Sequence, residues 1–343
     1  MLMSCSFICP SGSSQSAITT LSRGPLLLLL ATLSLNAGSA LAAWHGDVQE
    51  KMGTRIEIQL WSEDAETARQ LLEQGMAEFD RIEALMSTYI DASEISRVNR
   101  DAAEEPQLIT AELFELLKKA REISELTEGA FDITYDSVGQ LYNFRGGERP
   151  APGQIRERLE TIDYKHVLLD DELLTVAFAV PGVRINLGGI AKGYAVERVI
   201  ELLAEAGVEH ALASAGGDTR ILGQRLDKPW VVGVRDPKDA GAVFTRMALV
   251  DEAISTSGDY ERFFLEDGVR YHHILSPADG KPAGGVRSVS VIGPSATVTD
   301  GLSTSLFVMG PERGMALISQ LPDYDALIIT DSEYFYSEGL STN

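Results

Sequence analysis

The stretch Ile185-Asn186-Leu187-Gly188-Gly189-Ile190-Ala191-Lys192-Gly193-Tyr194 reads as an extended apolar segment that runs into glycines and then into a helix reaching about Ala206. The pattern predicts a strand, a tight turn and a helix. Backbone N–H groups left free at such a helix start can hold a phosphate, because the first turn lacks carbonyl partners and carries the positive end of the helix dipole. The stretch has neither the spaced glycines of a dinucleotide-binding fingerprint nor the Gly-Lys-Ser/Thr ending of a P-loop. Taken alone, it fits a tight packing turn equally well.

Outward from this turn, both element types recur. Thr54 to Trp61 alternates apolar and polar residues (Ile56, Ile58, Leu60), as a half-buried strand does. Ala65 to Met86 places Leu71, Leu72, Met76, Phe79, Ile82 and Leu85 at helical spacing, and a second helix is predicted from Ala111 to Thr127, with Thr110 as N-cap and Gly129 at its end. The Gly- and Pro-rich Asn143 to Pro152 reads as a loop, followed by a short helix near Gln154 to Leu159 and strands near His166 to Leu169 and Leu173 to Ala177. Further strands are expected at Ala211 to Ser214, Trp230 to Val234 and Arg287 to Ile292. The fold class is α+β, with antiparallel strands and long helices.

The chain has 343 residues, 44% hydrophobic and 23% charged, an ordinary globular composition. Its formal charge of -22 argues against nucleic acid or an anionic membrane surface as a partner, since both are bound through Lys and Arg. An acidic protein that binds a phosphate compound needs a cation to help. Arg23, the apolar block Pro25 to Leu35 and the small-residue run Gly38 to Ala43 read as a secretory signal, residues 1–42, with Ala40-x-Ala42 as the cleavage motif. The block is about half the ~20 residues a membrane span needs. Cys5 and Cys9 both fall inside the signal, so the exported chain, residues 43–343, is expected to be a soluble periplasmic protein without disulfide, thiolate ligand or membrane anchor.

Three further groupings could carry chemistry. Ser214-Ala215-Gly216-Gly217-Asp218 is a small-residue turn that lets a ligand approach the backbone, or an ordinary strand-to-strand turn. Asp300 and Thr304 stand four apart on a predicted helix, so both can reach one ion such as magnesium; alternatively, Asp300 stabilises the first turn of its own helix. His272 and His273 are each a possible general base, or simply packed histidines.

Taken together and in order, several stretches resemble the family of FAD:protein FMN transferases called ApbE. They are Met86-Ser87-Thr88-Tyr89 with Ser93 to Asn99, Gly129-Ala130-Phe131-Asp132-Ile133-Thr134, Leu187 to Ala195, Ser214 to Asp218, Ser255 to Glu261, His273-Ile274-Leu275-Ser276-Pro277 and Asp300 to Phe307. The resemblance implies a two-lobed, T-fold-like architecture, the lobes meeting near residues 145–160, with FAD as substrate in the cleft and magnesium on its pyrophosphate. By position, Met52, Tyr89, Ala130, Phe131, Asp132, Lys192 and Leu275 match FAD-contacting residues. Gly189 through its carbonyl, Asp300 and Thr304 match the magnesium ligands, and His273 matches the histidine that assists the acceptor hydroxyl. Two positions depart from the pattern: Asn186, counted with the FAD set, and Ser276 both stand where the family usually has aspartate. The implied reaction moves FMN from FAD to a threonine or serine of an acceptor protein, such as a flavoprotein subunit of a membrane respiratory complex, and releases AMP. The alternatives are hydrolysis of FAD to FMN and AMP, or FAD binding without catalysis, the latter motivated by Asn186.

Overall fold

In the computed structural model, which describes residues 42–239 and 241–340, eight strands form one antiparallel sheet whose spatial order is also their order along the chain. They are β1 (Ala43–Lys51), β2 (Thr54–Ser62), β3 (Ala211–Ala215), β4 (Asp218–Leu222), β5 (Ala253–Gly258), β6 (Ser288–Gly293), β7 (Asp325–Ile329) and β8 (Tyr334–Tyr336). Apart from Ala42, the leader predicted from the sequence and both cysteines lie outside the described residues.

Five helices of eight residues or more lie among the described residues: α1 (Ala65–Met86), α2 (Glu94–Asp101), α3 (Ala111–Leu126), α4 (Ala191–Glu205) and α5 (Ala296–Ile318). The Asp64 carboxylate caps α1 by accepting from the N–H groups of Glu66 and Thr67, and Thr110 caps α3 by accepting from Leu113, so polar residues supply partners the helix starts lack. The buried stripe of α1, Leu71, Leu72, Met76, Phe79, Ile82 and Met86, packs on Ile56, Ile58 and Leu60 of β2. Contact is close because Gly75 has no side chain: a Cβ there would come within 2.6 Å of Ile58 Cδ1.

Alternation along the strands assigns the sheet two faces. Ala211, Ala213, Ala215 and Ala253 face α1 and α4, while Val289, Val291, Ala326 and Ile328 face Leu302, Leu306 and Phe307 of α5. On the opposite face Ile221, Ile254, Ile292, Leu327 and Ile329 are covered by a two-stranded ribbon, Trp230–Arg235 with Val243–Leu249, through Trp230, Val234 and Leu249. The helices stack side by side: α4 touches α1, β3, β4 and α5.

The α+β class read from the sequence is the one observed, and the predicted limits of α1 and α3 agree with the structure within a residue. One expectation fails. Ile185 to Leu187 is extended but joins no sheet, because the Asn99 side chain takes both backbone groups of Ile185: its Oδ1 accepts from the N–H at 2.8 Å and its Nδ2 donates to the carbonyl at 2.8 Å. Asn186 N–H donates to the Ile133 carbonyl at 2.9 Å, so the segment has partners without a strand beside it.

Candidate active site

The glycine turn ahead of α4 faces α5 and the start of β4. Gly193 N–H donates to Asp300 Oδ2 at 3.0 Å. Only glycine permits this approach, since a Cβ at 193 would lie 2.2 Å from the Ala296 carbonyl oxygen and 2.7 Å from Asp300 Cβ. The next residue back, Lys192, donates from Nζ to Asp218 Oδ2 at 2.6 Å and sits 3.7 Å from Asp300 Oδ2. Two carboxylates, each buried, therefore share one ammonium. Burial, then the neighbouring Asp218, pushes the Asp300 carboxyl up to about 7, against the pull of Lys192 and the Gly193 N–H. Burial opposes the Lys192 charge, but the two carboxylates outweigh it and hold the ammonium protonated.

Asp300 does not serve the start of its own helix. α5 begins at Ala296, with Ser295 accepting from Val298 N–H and Glu197 accepting from Thr297 N–H at 2.9 Å, so Asp300 lies beyond the first turn. One turn on, the Thr304 hydroxyl is 3.2 Å from Ser257 Oγ of β5. It also borders Gly189, where a Cβ would stand 3.3 Å from Thr304 Oγ1 and 3.2 Å from the Phe131 ring. A side chain at 189 would crowd both, so glycine lets the backbone lie against a hydroxyl and an aromatic ring, with Asp300 a helical turn away.

A hard cation takes oxygen ligands and usually completes its shell with water and phosphate. Asp300, Thr304 and the Gly189 carbonyl supply such oxygens. Among the described residues no three His, Cys, Asp or Glu side chains cluster as a self-sufficient metal site. A cation held here would depend on ligand oxygens from elsewhere.

The two histidines separate cleanly. His272 is buried, its Nε2 bonds the Ala283 carbonyl at 2.8 Å and its ring meets the Phe307 ring edge-on at 5.5 Å, so it is a packing residue. His273 follows the hairpin Phe263–Glu266 with Val269–His272, anchored by its N–H donating to the Arg262 carbonyl at 3.1 Å. Its ring Nδ1 is buried and has no hydrogen-bond partner among the described residues. Burial first, then the charges of Arg262, His272 and Lys192, pushes its imidazole down to about 3, so the ring is neutral.

The other positions matched by resemblance divide. Met52 and Gly53, both at positive φ (51° and 69°), make the two-residue turn between β1 and β2; Met52 N–H donates to Glu83 Oε2 at 3.0 Å, and Arg262 borders Gly53. Tyr89 is 86% exposed, a free aromatic face. Ala130 is half-buried and Phe131 buried, the latter bordering Gly189. Asp132 and Leu275 take different roles. Asp132 Oδ1 accepts from the N–H and hydroxyl of Thr134 and Oδ2 from Tyr164 N–H, so its carboxylate holds the loop. Leu275 packs with Val138, Tyr142 and Ile155 in a satellite core, and its backbone stands opposite Pro282 in a two-residue antiparallel ladder. Asn186 accepts from Gly188 N–H at 2.8 Å and thereby shapes the turn. Sequence reasoning misses Asp218 as the Lys192 partner, along with Ser257, Arg262 and Asp136. The Gly216-Gly217 pair ahead of Asp218 is the one local signal.

Comparison with known proteins identifies the family. The ApbE family model matches residues 52–328. Curated relatives include the FAD:protein FMN transferases of Treponema pallidum, 32% identical over 89% of this chain and 90% of the relative, and of Vibrio cholerae, 32% identical over 92% and 97%. Among solved structures, the ApbE protein of Thermotoga maritima superposes with a TM-score of 0.81 at 36% identity, covering 87% of this chain and 98% of its own. The flavin transferase ApbE of Vibrio cholerae gives 0.78 at 30%, again covering 87% and 98%. With the family model spanning most of the chain and relatives above 30% identity along nearly their full length, this chain belongs to the ApbE family.

Proposed function

We propose that this chain is an FAD:protein FMN transferase that uses magnesium to move FMN from FAD onto a threonine or serine hydroxyl of an acceptor protein. The observation that carries the reading is the Lys192–Asp218–Asp300 cluster, in which two buried carboxylates share one ammonium one helical turn from Thr304 and the Gly189 backbone it borders. A buried net negative charge is unfavourable and calls for a cation.

The acceptor oxygen attacks the phosphorus on the FMN side of FAD, the bond from that phosphorus to the bridging oxygen breaks, and AMP leaves with that oxygen. His273, neutral and with its buried Nδ1 unpartnered, takes the proton of the acceptor hydroxyl. A pyrophosphate beside Lys192 and Arg262 offsets two of the charges that depress this imidazole, making it a better base in the loaded site. Magnesium, when held by Asp300, Thr304 and the Gly189 carbonyl, offsets charge on the phosphate oxygens. Lys192 lies where it can pair with a phosphate oxygen, and Phe131 and Tyr89 offer aromatic surface to the flat rings of FAD.

The leader read from residues 1–42 supports export to the periplasm, and no helix among the described residues is long and apolar enough to cross a membrane. The acceptor on this reading is a flavoprotein subunit of a membrane respiratory complex. The test is to incubate residues 43–343 with FAD, magnesium and a threonine-bearing acceptor domain, and to record acceptor mass and AMP together. One FMN gained per AMP released, abolished by chelator, is the expected result. AMP without acceptor modification replaces transfer with hydrolysis, and neither product despite FAD binding leaves a carrier.

A further inference from the structure

Asn186 is the departure that most threatens a working site, since the resemblance leads to an aspartate just ahead of Leu187-Gly188-Gly189. Its surroundings give the missing carboxylate another address. Asn186 Nδ2 donates to Asp136 Oδ1 at 3.3 Å and to Thr88 Oγ1 at 3.4 Å, while its Oδ1 accepts from Gly188 N–H at 2.8 Å. Asp136, whose side chain is 8% exposed, receives Arg184 Nε on its other oxygen at 2.6 Å. Arg184 N–H in turn donates to Ser137 Oγ at 2.9 Å.

The directions in this chain of bonds are fixed. A carboxylate only accepts, so the amide nitrogen must face Asp136 and the amide oxygen must face Gly188. Aspartate at 186 could make the second bond but not the first, and would place two carboxylates in contact with one guanidinium for the pair. Asparagine is therefore the residue that Asp136 requires.

We propose that Asp136 is a positioning residue of the transferase, carrying the negative charge that position 186 lacks and acting through the Asn186 amide to hold the glycine turn in place. Asn186 is then half of a matched pair, and the site beside it is intact. This rests on the transferase reading. Asp136 needs no contact with FAD, because the Gly188 N–H links it to the turn whose Gly189 borders Thr304.

A four-way comparison tests the pairing: wild type, N186D, D136N and the double swap D136N/N186D. In the swap Arg184 can donate to the amide oxygen now at position 136, and the amide nitrogen there can donate to the carboxylate at position 186. Gly188 N–H can donate to that same carboxylate, so these three bonds are kept with the charge moved. Each protein is measured for FAD affinity by flavin fluorescence without acceptor, for KM of FAD and kcat in transfer, and for melting temperature. Each single change is expected to weaken FAD binding and raise KM roughly tenfold with a smaller effect on kcat, and the swap to return within about threefold of wild type, a non-additivity that only coupled residues give. If N186D alone fails to fold, recovery of a folded, FAD-binding protein in the swap reads the same coupling. An N186D protein that equals or exceeds wild type overturns the proposal, as does a swap no better than its worse parent. Because affinity is read without acceptor, absence of transfer in every variant would count against the transferase reading and leave the pairing to be judged on binding.

Discussion

At one end of the glycine turn a single buried carboxylate, Asp136, faces a single guanidinium, Arg184; at the other, two buried carboxylates, Asp218 and Asp300, face the one ammonium of Lys192. The first cluster sums to zero and its hydrogen bonds lead back into the chain, to Asn186 and Ser137. The second, with both carboxyls ionised, sums to minus one and stands one helical turn from Thr304, which borders Gly189. Burial raises the carboxyl at both ends; at Asp136 the Arg184 guanidinium opposes it, whereas at Asp300 the neighbouring Asp218 adds to it and carries the group to about 7. The contrast separates a cluster that shapes the site from one that is completed by something bound to it.

The largest effect that sharpens this contrast is expected at Asp300. Asp300→Asn should lower the rate of FMN transfer by about a thousandfold, the scale on which loss of a group stabilising transition-state charge acts. In chelator its melting temperature should equal or exceed that of wild type, since a buried like-charge contact has gone. Transfer is read by acceptor mass and melting by calorimetry. A variant that melts well below wild type in chelator would show Asp300 to be structural and would erase the difference between the clusters.

Next comes a paired removal of cations. Lys192→Met leaves two buried carboxylates without an ammonium and should destabilise the fold by about 3 kcal/mol, whereas Arg184→Met leaves one carboxylate that keeps its Asn186 partner and should cost about 1–2 kcal/mol. The two cations are about equally exposed, 29% for the Arg184 side chain and 27% for Lys192, so the difference rests on the number of carboxylates each one serves. Urea unfolding in chelator measures both. Equal losses would mean that the charge count at the two ends does not govern stability.

These clusters also show what a sequence can and cannot display. α1 and α3 are legible because their apolar residues recur every three or four positions and their caps, Asp64 and Thr110, stand beside them. The glycines that let α4 meet α5 are visible, and so is the Asp300–Thr304 pair, because helical spacing links them. Lys192 and Asp218 are 26 residues apart, Asp136 and Asn186 are 50 apart, and no periodicity joins them. Ile185 looks like a strand residue because its apolar neighbours fit one; the Asn99 side chain, 86 residues away, satisfies its backbone in place of a sheet. What the sequence hides is pairing across the fold, where tertiary contact overrides local pattern.

The smallest effect is expected at His273, and its sign follows from which state binds the proton. Folded, its imidazole is pushed from an ordinary value near 6.5 down to about 3 by burial and by the nearby charges of Arg262, His272 and Lys192. Between those values the unfolded chain binds a proton that the folded protein does not, so stability is complete above about pH 6.5 and falls as the pH drops toward 3. From pH 7.5 to 5.5 this one group should remove about 1.4 kcal/mol. His273→Asn should therefore show a shallower loss of stability over that interval than wild type, by about that amount, in urea unfolding at each pH. The Asp136–Arg184 end gives a control: Arg184→Met should leave the difference between wild type and His273→Asn unchanged. If the two pH profiles coincide, the ring is not held neutral by the Lys192 side of the turn, and the base assigned to the transfer step loses its physical ground.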